Sequence, residues 1–172
     1  MAVSIEDIKK LRAMTGAGLA DVKKALTEAE GDFDKAKELL RERGLAIAAK
    51  RSDRETSNGC VLVKKVNDFA AIIALKCETD FVANGADFIK LTSDILDAAI
   101  AAKAHTLDEV KTLKVGDADA QAAVTQRSGI TGEKMELDGY CVLEGDNIEV
   151  YDHMNKHTLC TICLLYTSPS PR

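Results

Sequence analysis

Three stretches carry residue types that could do chemistry. His153-x3-His157-x2-Cys160-x2-Cys163 puts two imidazoles and two thiols close together, a donor set suited to tetrahedral zinc. Residues 156–162 alternate like a strand, however, which sends His157 and Cys160 to opposite faces, and the segment lacks the glycines of a compact ligand loop. No metal site is expected. Gly16-Ala-Gly18-Leu-Ala-Asp21 looks like half of a dinucleotide-binding loop, but a helix pattern precedes it and Asp21 stands where a third glycine belongs. With no Gly-x-x-x-x-Gly-Lys-Ser/Thr either, neither a cofactor nor direct nucleotide binding is expected. No nucleophile–base pair emerges, and Cys77, on an apolar run, reads as a buried, inert thiol. The third stretch is Cys77-Glu-Thr-Asp-Phe-Val-Ala-Asn84, where an apolar strand stops and an aromatic stands at a helix start. In one reading Asp80 caps that helix and Phe81 packs into the core. In the other, Phe81 is a wedge on a rigid strand-to-helix corner, aimed at a partner's pocket. Residue physics leaves both open.

The elements that must position these residues fall into two groups. Ile5, Ile8, Leu11 and Met14 form one helical stripe, with Ser4 as N-cap and Asp7 in the first turn. Thr15-Gly-Ala-Gly18 breaks it, because glycine favours turns. Leu19, Val22, Ala25, Leu26 and Ala29 mark a second helix, and Gly31-Asp32 leads to a third with Phe33, Ala36, Leu39 and Leu40 on its face. Gly44 is expected to close that helix or kink it. Cys60–Val66 and Phe69–Cys77 then read as strands joined by Asn67-Asp68, a pair suited to a tight hairpin. Helical spacing runs from about Phe81 to Lys103; Thr106-x-x-Glu109 is a capping box; Asp117–Ser128 forms another helix, ended by Gly129 and Gly132. Glu133–Glu144, Asn147–Asp152 and Lys156–Cys163 read as strands, with turns at Gly145-Asp146 and Met154-Asn155.

Composition bounds the function classes. The chain has 172 residues, 46% hydrophobic and 30% charged, with a net charge of −5. That is ordinary globular composition and argues against a general nucleic-acid binder. An apolar run such as Ala70–Leu75 is far too short to cross a bilayer. Five cysteines at irregular spacing do not form a disulfide framework, and the N-terminus shows no secretory pattern, so a cytoplasmic protein is expected. Charge is uneven: residues 1–54 hold 12 basic and 10 acidic side chains, whereas residues 55–172 hold 11 and 18. The shift falls in the polar run Lys50–Gly59, where a linker belongs.

Two segments carry a family resemblance. Thr15-Gly-Ala-Gly-Leu-Ala-Asp-Val-Lys-Lys-Ala-Leu26 and Glu78-Thr-Asp-Phe-Val-Ala-Asn84 resemble the two signature segments of the bacterial translation elongation factor Ts family. Gly132-Glu-Lys-Met-Glu-Leu and Leu143-Glu-Gly145 are compatible with it, so that the resemblance covers roughly residues 1–162. It implies an α+β fold: a three-helix, ubiquitin-associated-like N-terminal domain (1–50), a linker (51–59) and an incomplete core with antiparallel strands. Residues 60–145 would be the first core subdomain and 146–162 the start of a truncated second one. Residues 163–172 look like a non-native appended tail. The implied activity is guanine-nucleotide exchange on the GTPase elongation factor Tu, without a catalytic side chain, cofactor, nucleic acid or membrane. Thr79, Asp80, Phe81 and Val82 would disturb the GTPase's Mg²⁺ site, and Leu19 and Ala20 would add contact from the helices. The alternative function is a ubiquitin-associated-type binding module without exchange activity.

Overall fold

The computed structural model describes residues 4–153, 157 and 159–164. Contacts divide the chain into two units, Met1–Asp53 with Thr125–Glu133, and Arg54–Val124 with Lys134–Arg172. Residues 125–133 fall within the stretch expected as the first core subdomain, yet they cluster with the three helices.

The helical unit holds α1 (Ile5–Thr15), α2 (Leu19–Glu28) and α3 (Phe33–Ala49). Ser4 Oγ accepts the Asp7 amide at 3.0 Å, satisfying one of the orphan donors at the start of α1. Gly16 stops the helix in the left-handed region (φ 70°) while its N–H donates to the Arg12 carbonyl. Asp32 Oδ1 accepts the amides of Asp34 and Lys35 and so starts α3. Ile8, Leu11, Val22, Ala25, Leu26 and Ala36 form the core, with Phe33, Leu39 and Leu40 packed against it. The fully buried Leu11, Val22 and Leu26 each contribute about 1.5–3 kcal/mol by leaving water.

Gly44 does not close α3, which runs through it to Ala49. Gly129 likewise lies inside a helix instead of ending one. The two glycines explain each other: a Cβ on Gly129 would overlap Gly44 Cα and lie 3.1 Å from the Gly44 carbonyl oxygen. Two helix backbones meet there without side chains, a use of glycine that spacing along one helix does not reveal.

The second unit contains, in chain order, β1 (Asn58–Val66), β2 (Phe69–Cys77), α4 (Asp80–Ala83), α5 (Ala86–Ala102), α6 (Leu107–Thr112), β3 (Lys114–Val115), β4 (Ala118–Asp119), the start of α7 (Ala120–Thr131), β5 (Met135–Glu144), β6 (Ile148–Asp152) and β7 (Cys160–Leu164). Among the described residues the strands form an antiparallel sheet in the order β1-β2-β5 and two antiparallel pairs, β3-β4 and β6-β7. The β1–β2 hairpin turns on Asn67-Asp68, with Asn67 at φ 55° and Val66 paired to Phe69. Phe69, Ala71, Ile73, Leu75 and Cys77 of β2 are all buried and share a core with Phe88, Ile95, Leu96, Ala99 and Ile100 of α5.

Where spacing predicts one helix over 81–103, the chain forms two, separated at Asn84-Gly85. Residues 117–119 enter the β3–β4 turn and its second strand, so the helix expected from Asp117 begins at Ala120 instead. Glu109 completes the capping box by accepting the Thr106 amide at 3.2 Å. The register of β2 with β5 slips between Ala74 and Leu75, leaving Asp138 as an extra residue on β5. The β6–β7 pair reaches β1 through the Val61 amide on the His157 carbonyl (2.6 Å) and through Lys65 Nζ on the Ile148 carbonyl. The strand expected over 156–163 is seen from Cys160, and it continues through Cys163 and Leu164, paired with Glu149 and Ile148. Residues 154–156 and 158, including the expected Met154-Asn155 turn, and residues 165–172 of the expected tail lie outside the described residues. No helix among the described residues is long and apolar enough to cross a membrane.

Two outcomes follow from this packing. Gly129→Ala forces the α3 and α7 backbones apart and lowers stability by about 1–3 kcal/mol, read as a lower urea midpoint. The Tyr140 hydroxyl donates to the Ala104 carbonyl at 2.8 Å, and burial pushes its phenol up to about 12. The unfolded chain ionises this group near pH 10 and the folded chain later, so stability drains as pH rises from about 10 to 12. Tyr140→Phe flattens that decline in alkaline urea titrations; an equally steep decline in the variant would contradict the assignment.

Candidate functional site

The corner after β2 is assembled from its backbone outward. β2 ends at the fully buried Cys77, whose thiol contacts the Thr79 carbonyl at 3.2 Å. Thr79 is extended (φ −119°, ψ 154°), and its Oγ1 accepts the Val82 amide at 3.4 Å. The cap is therefore Thr79 and not Asp80, which occupies the first helical position, where its negative charge suits the helix dipole. The Ala83 amide donates to the Thr79 carbonyl, while the Asp80 carbonyl takes both the Asn84 amide (3.0 Å) and Asn84 Nδ2 (2.8 Å). Gly85 then N-caps α5, close enough that a Cβ would stand 3.0 Å from the Val82 carbonyl oxygen.

This geometry sorts the side chains of a single turn. Ala83 is buried, and Val82 is half-buried against the core beneath the sheet. Asp80 and Thr79 are exposed. Phe81 is 87% exposed, the most exposed large apolar side chain among the described residues. It does not pack into the core, whereas Phe88, seven residues on, is 1% exposed and does. An exposed Phe forgoes about 1.5–3 kcal/mol of burial, which a partner's pocket can return.

The residue before the cap was not singled out by motif reasoning. Glu78 Oε2 pairs with Arg54 Nη1 at 2.9 Å, Oε1 accepts the Lys134 amide at 2.6 Å, and its carbonyl accepts Asn58 Nδ2 at 2.9 Å. The available signal was a carboxylate directly after an apolar strand, where an unpaired charge is costly.

The other candidate residues are placed as follows. Leu19 is 53% exposed and Ala20 is exposed in the first turn of α2. Gly16 and Gly18 serve as the C-cap of α1 and the N-cap of α2, with Asp21 in the turn that follows, so the glycine-rich segment connects two helices. His153 shares a 2.8 Å contact with the Tyr151 hydroxyl, His157 Nδ1 lies 3.7 Å from Asp152 Oδ2, the Cys160 thiol donates to the Val61 carbonyl, and Cys163 is exposed. Among the described residues no three His, Cys, Asp or Glu side chains are arranged to hold a metal ion. Burial pushes the Cys60 and Cys160 thiols up to about 11, away from nucleophilic use.

Comparison with known proteins gives the family of the chain. A sequence-family model described as "Elongation factor TS" matches residues 78–169, more than half of the chain. Elongation factor Ts of Bacteroides fragilis is 67% identical over 162 residues, covering 94% of this chain and 49% of its own length. The Bacteroides thetaiotaomicron protein of the same name is 64% identical over 162 residues, with the same coverage, and that of Porphyromonas gingivalis is 51% identical over 154 residues, covering 89% of this chain and 56% of its own length. The chain spans about half the length of the curated relatives it matches. By its family match and this level of identity, the chain belongs to the elongation factor Ts family.

Proposed function

We propose that this chain promotes GDP release from the translation GTPase elongation factor Tu, with Phe81 as the group that enters the GTPase. The observation that carries the reading is the 87% exposure of Phe81 on a capped turn whose neighbours Val82 and Ala83 are anchored in the core. A rigidly presented aromatic side chain enters a pocket at low ordering cost. Asp80, beside it on the exposed face, brings a carboxylate towards the GTPase's Mg²⁺ site. Displacing the groups around that ion loosens its bridge between β-phosphate and protein, a large part of what holds the nucleotide.

The chain itself transfers no atoms and needs no catalytic group in this scheme. It binds the nucleotide-free GTPase more tightly than the GDP form, and linkage then requires that GDP and the exchange factor weaken each other equally. Thr79 holds the turn, and Val82 fixes its angle. Leu19 and Ala20, both exposed at the start of α2, would add a second contact from the helical unit. If the helical unit acted alone as a ubiquitin-associated-type module, GDP release would not depend on Phe81.

The test is release of fluorescent GDP from elongation factor Tu. The parent chain accelerates it, and Phe81→Ala reduces the acceleration by about tenfold or more, as expected for loss of an aromatic anchor. Because Phe81 packs against little of its own chain, the urea midpoint of the variant stays with the parent. Equal release by parent and variant would remove the wedge role.

A further inference from the structure

Resting on the exchange reading above, we propose that Glu78 is a positioning residue for Phe81: its carboxylate clamps the corner so that the ring meets the GTPase already oriented. α4 is a single turn of four residues. An isolated turn does not hold itself, because it fixes several backbone dihedrals for very few hydrogen bonds. Asp80–Ala83 must therefore be held by what flanks it. Downstream, Gly85 opens the long α5, whose Phe88 and Ile95 are in the core. Upstream, Cys77 is fixed in the sheet and its thiol contacts the Thr79 carbonyl, and Glu78 is the residue between them that ties the chain to other segments.

Three residues from two segments remote in sequence converge on that residue. The Lys134 backbone amide, just before β5, donates to Oε1; the guanidinium of Arg54, before β1, donates to Oε2; the Asn58 side-chain Nδ2, at the start of β1, donates to the main-chain carbonyl. Both carboxylate oxygens are thus engaged in different directions, which fixes orientation as well as position. Bonds to an ionised carboxylate are shorter and stronger than neutral ones. The Glu78 side chain is only 17% exposed, so these bonds are less screened than a surface pair would be. Thr79, which caps the turn, is the next residue. The clamp sits at the base of the wedge and leaves Asp80 and Phe81 free to meet a partner.

The role is tested by native-state amide exchange and GDP release on the full chain. In Glu78→Ala the Val82, Ala83 and Asn84 amides exchange roughly tenfold faster, while Ile73, paired on both sides to Leu62 and Tyr140, keeps its parent rate. GDP release from elongation factor Tu at saturating chain falls roughly three- to tenfold, with little change in the half-saturating concentration, because in the bound complex an unclamped ring occupies the productive orientation only part of the time. Loss of folded protein would do the reverse, raising the half-saturating concentration and sparing the saturating rate. Glu78→Gln, which keeps an oxygen for the Lys134 amide but no charge for Arg54, falls between parent and Glu78→Ala. Unchanged exchange at 82–84, or faster exchange that includes Ile73, overturns the clamp. Phe81→Ala, run in parallel, keeps the parent's amide pattern while losing release; if it retains release, the wedge reading fails and the amide pattern of Glu78→Ala still decides the clamp.

Discussion

Strand β2 is paired along both edges, with β1 on one side and β5 on the other, and its odd-numbered side chains are buried against α5. This double pairing satisfies the backbone of a segment that carries almost no polar side chain, which is the condition for putting Phe69-Ala-Ala-Ile-Ile-Ala-Leu in the interior. α5 lies on the face so formed, and the buried Val110 of α6 and Val124 of α7 join the same core. The corner that follows Cys77 inherits its rigidity from the strand, since the last residue of the ladder is fully buried and paired on both sides, with Asn58 and Met135.

Against that fixed base the exposure of Phe81 has a clear physical sense. The turn is placed so that two of its apolar residues, Val82 and Ala83, go inward and the third goes out. A flexible loop could also expose a phenylalanine, but it would let the ring fold back onto the nearest apolar surface. Here the cap of Thr79, the bonds of Asn84 to the Asp80 carbonyl and the close approach of Gly85 to Val82 keep it outward. Function in this reading comes from withholding a side chain from the core.

How much of this was legible in the sequence depended on how local the deciding interaction is. Ser4 as the cap of α1, Thr106 with Glu109, the break at Thr15–Gly18 and the Asn67-Asp68 turn are decided within three or four residues, and each was readable. The continuation of α3 through Gly44 was not, because its reason is Gly129, far away in sequence. The break at Asn84-Gly85 was hidden because the apolar spacing on either side is helical in both pieces. Whether Phe81 was core or wedge also lay beyond local pattern: Phe81 and Phe88 are seven residues apart, on what helical periodicity treats as one face, and only the interruption between them separates their fates. Glu78 escaped notice for the same reason, since its partners Arg54 and Lys134 come from other parts of the chain.

The extra residue on β5 has a consequence for how that strand can vary. Met135 and Leu137 face the core before it, and Tyr140 and Val142 face the core after it, so inward positions change from odd to even at Asp138. Asp138 itself is turned out to an ion pair with Lys76, and Gly139 sits opposite Ala74, where a Cβ would stand 3.0 Å from the Ala74 Cβ. The strand therefore has two reading frames joined at one point. If the same residues ran through Asp138 as a regular strand, without the bulge, inside and outside would exchange along everything downstream, bringing Cys141 and Leu143 inward and sending Tyr140 out. The bulge at Asp138-Gly139 decides which half of β5 faces the core as firmly as any side chain in it.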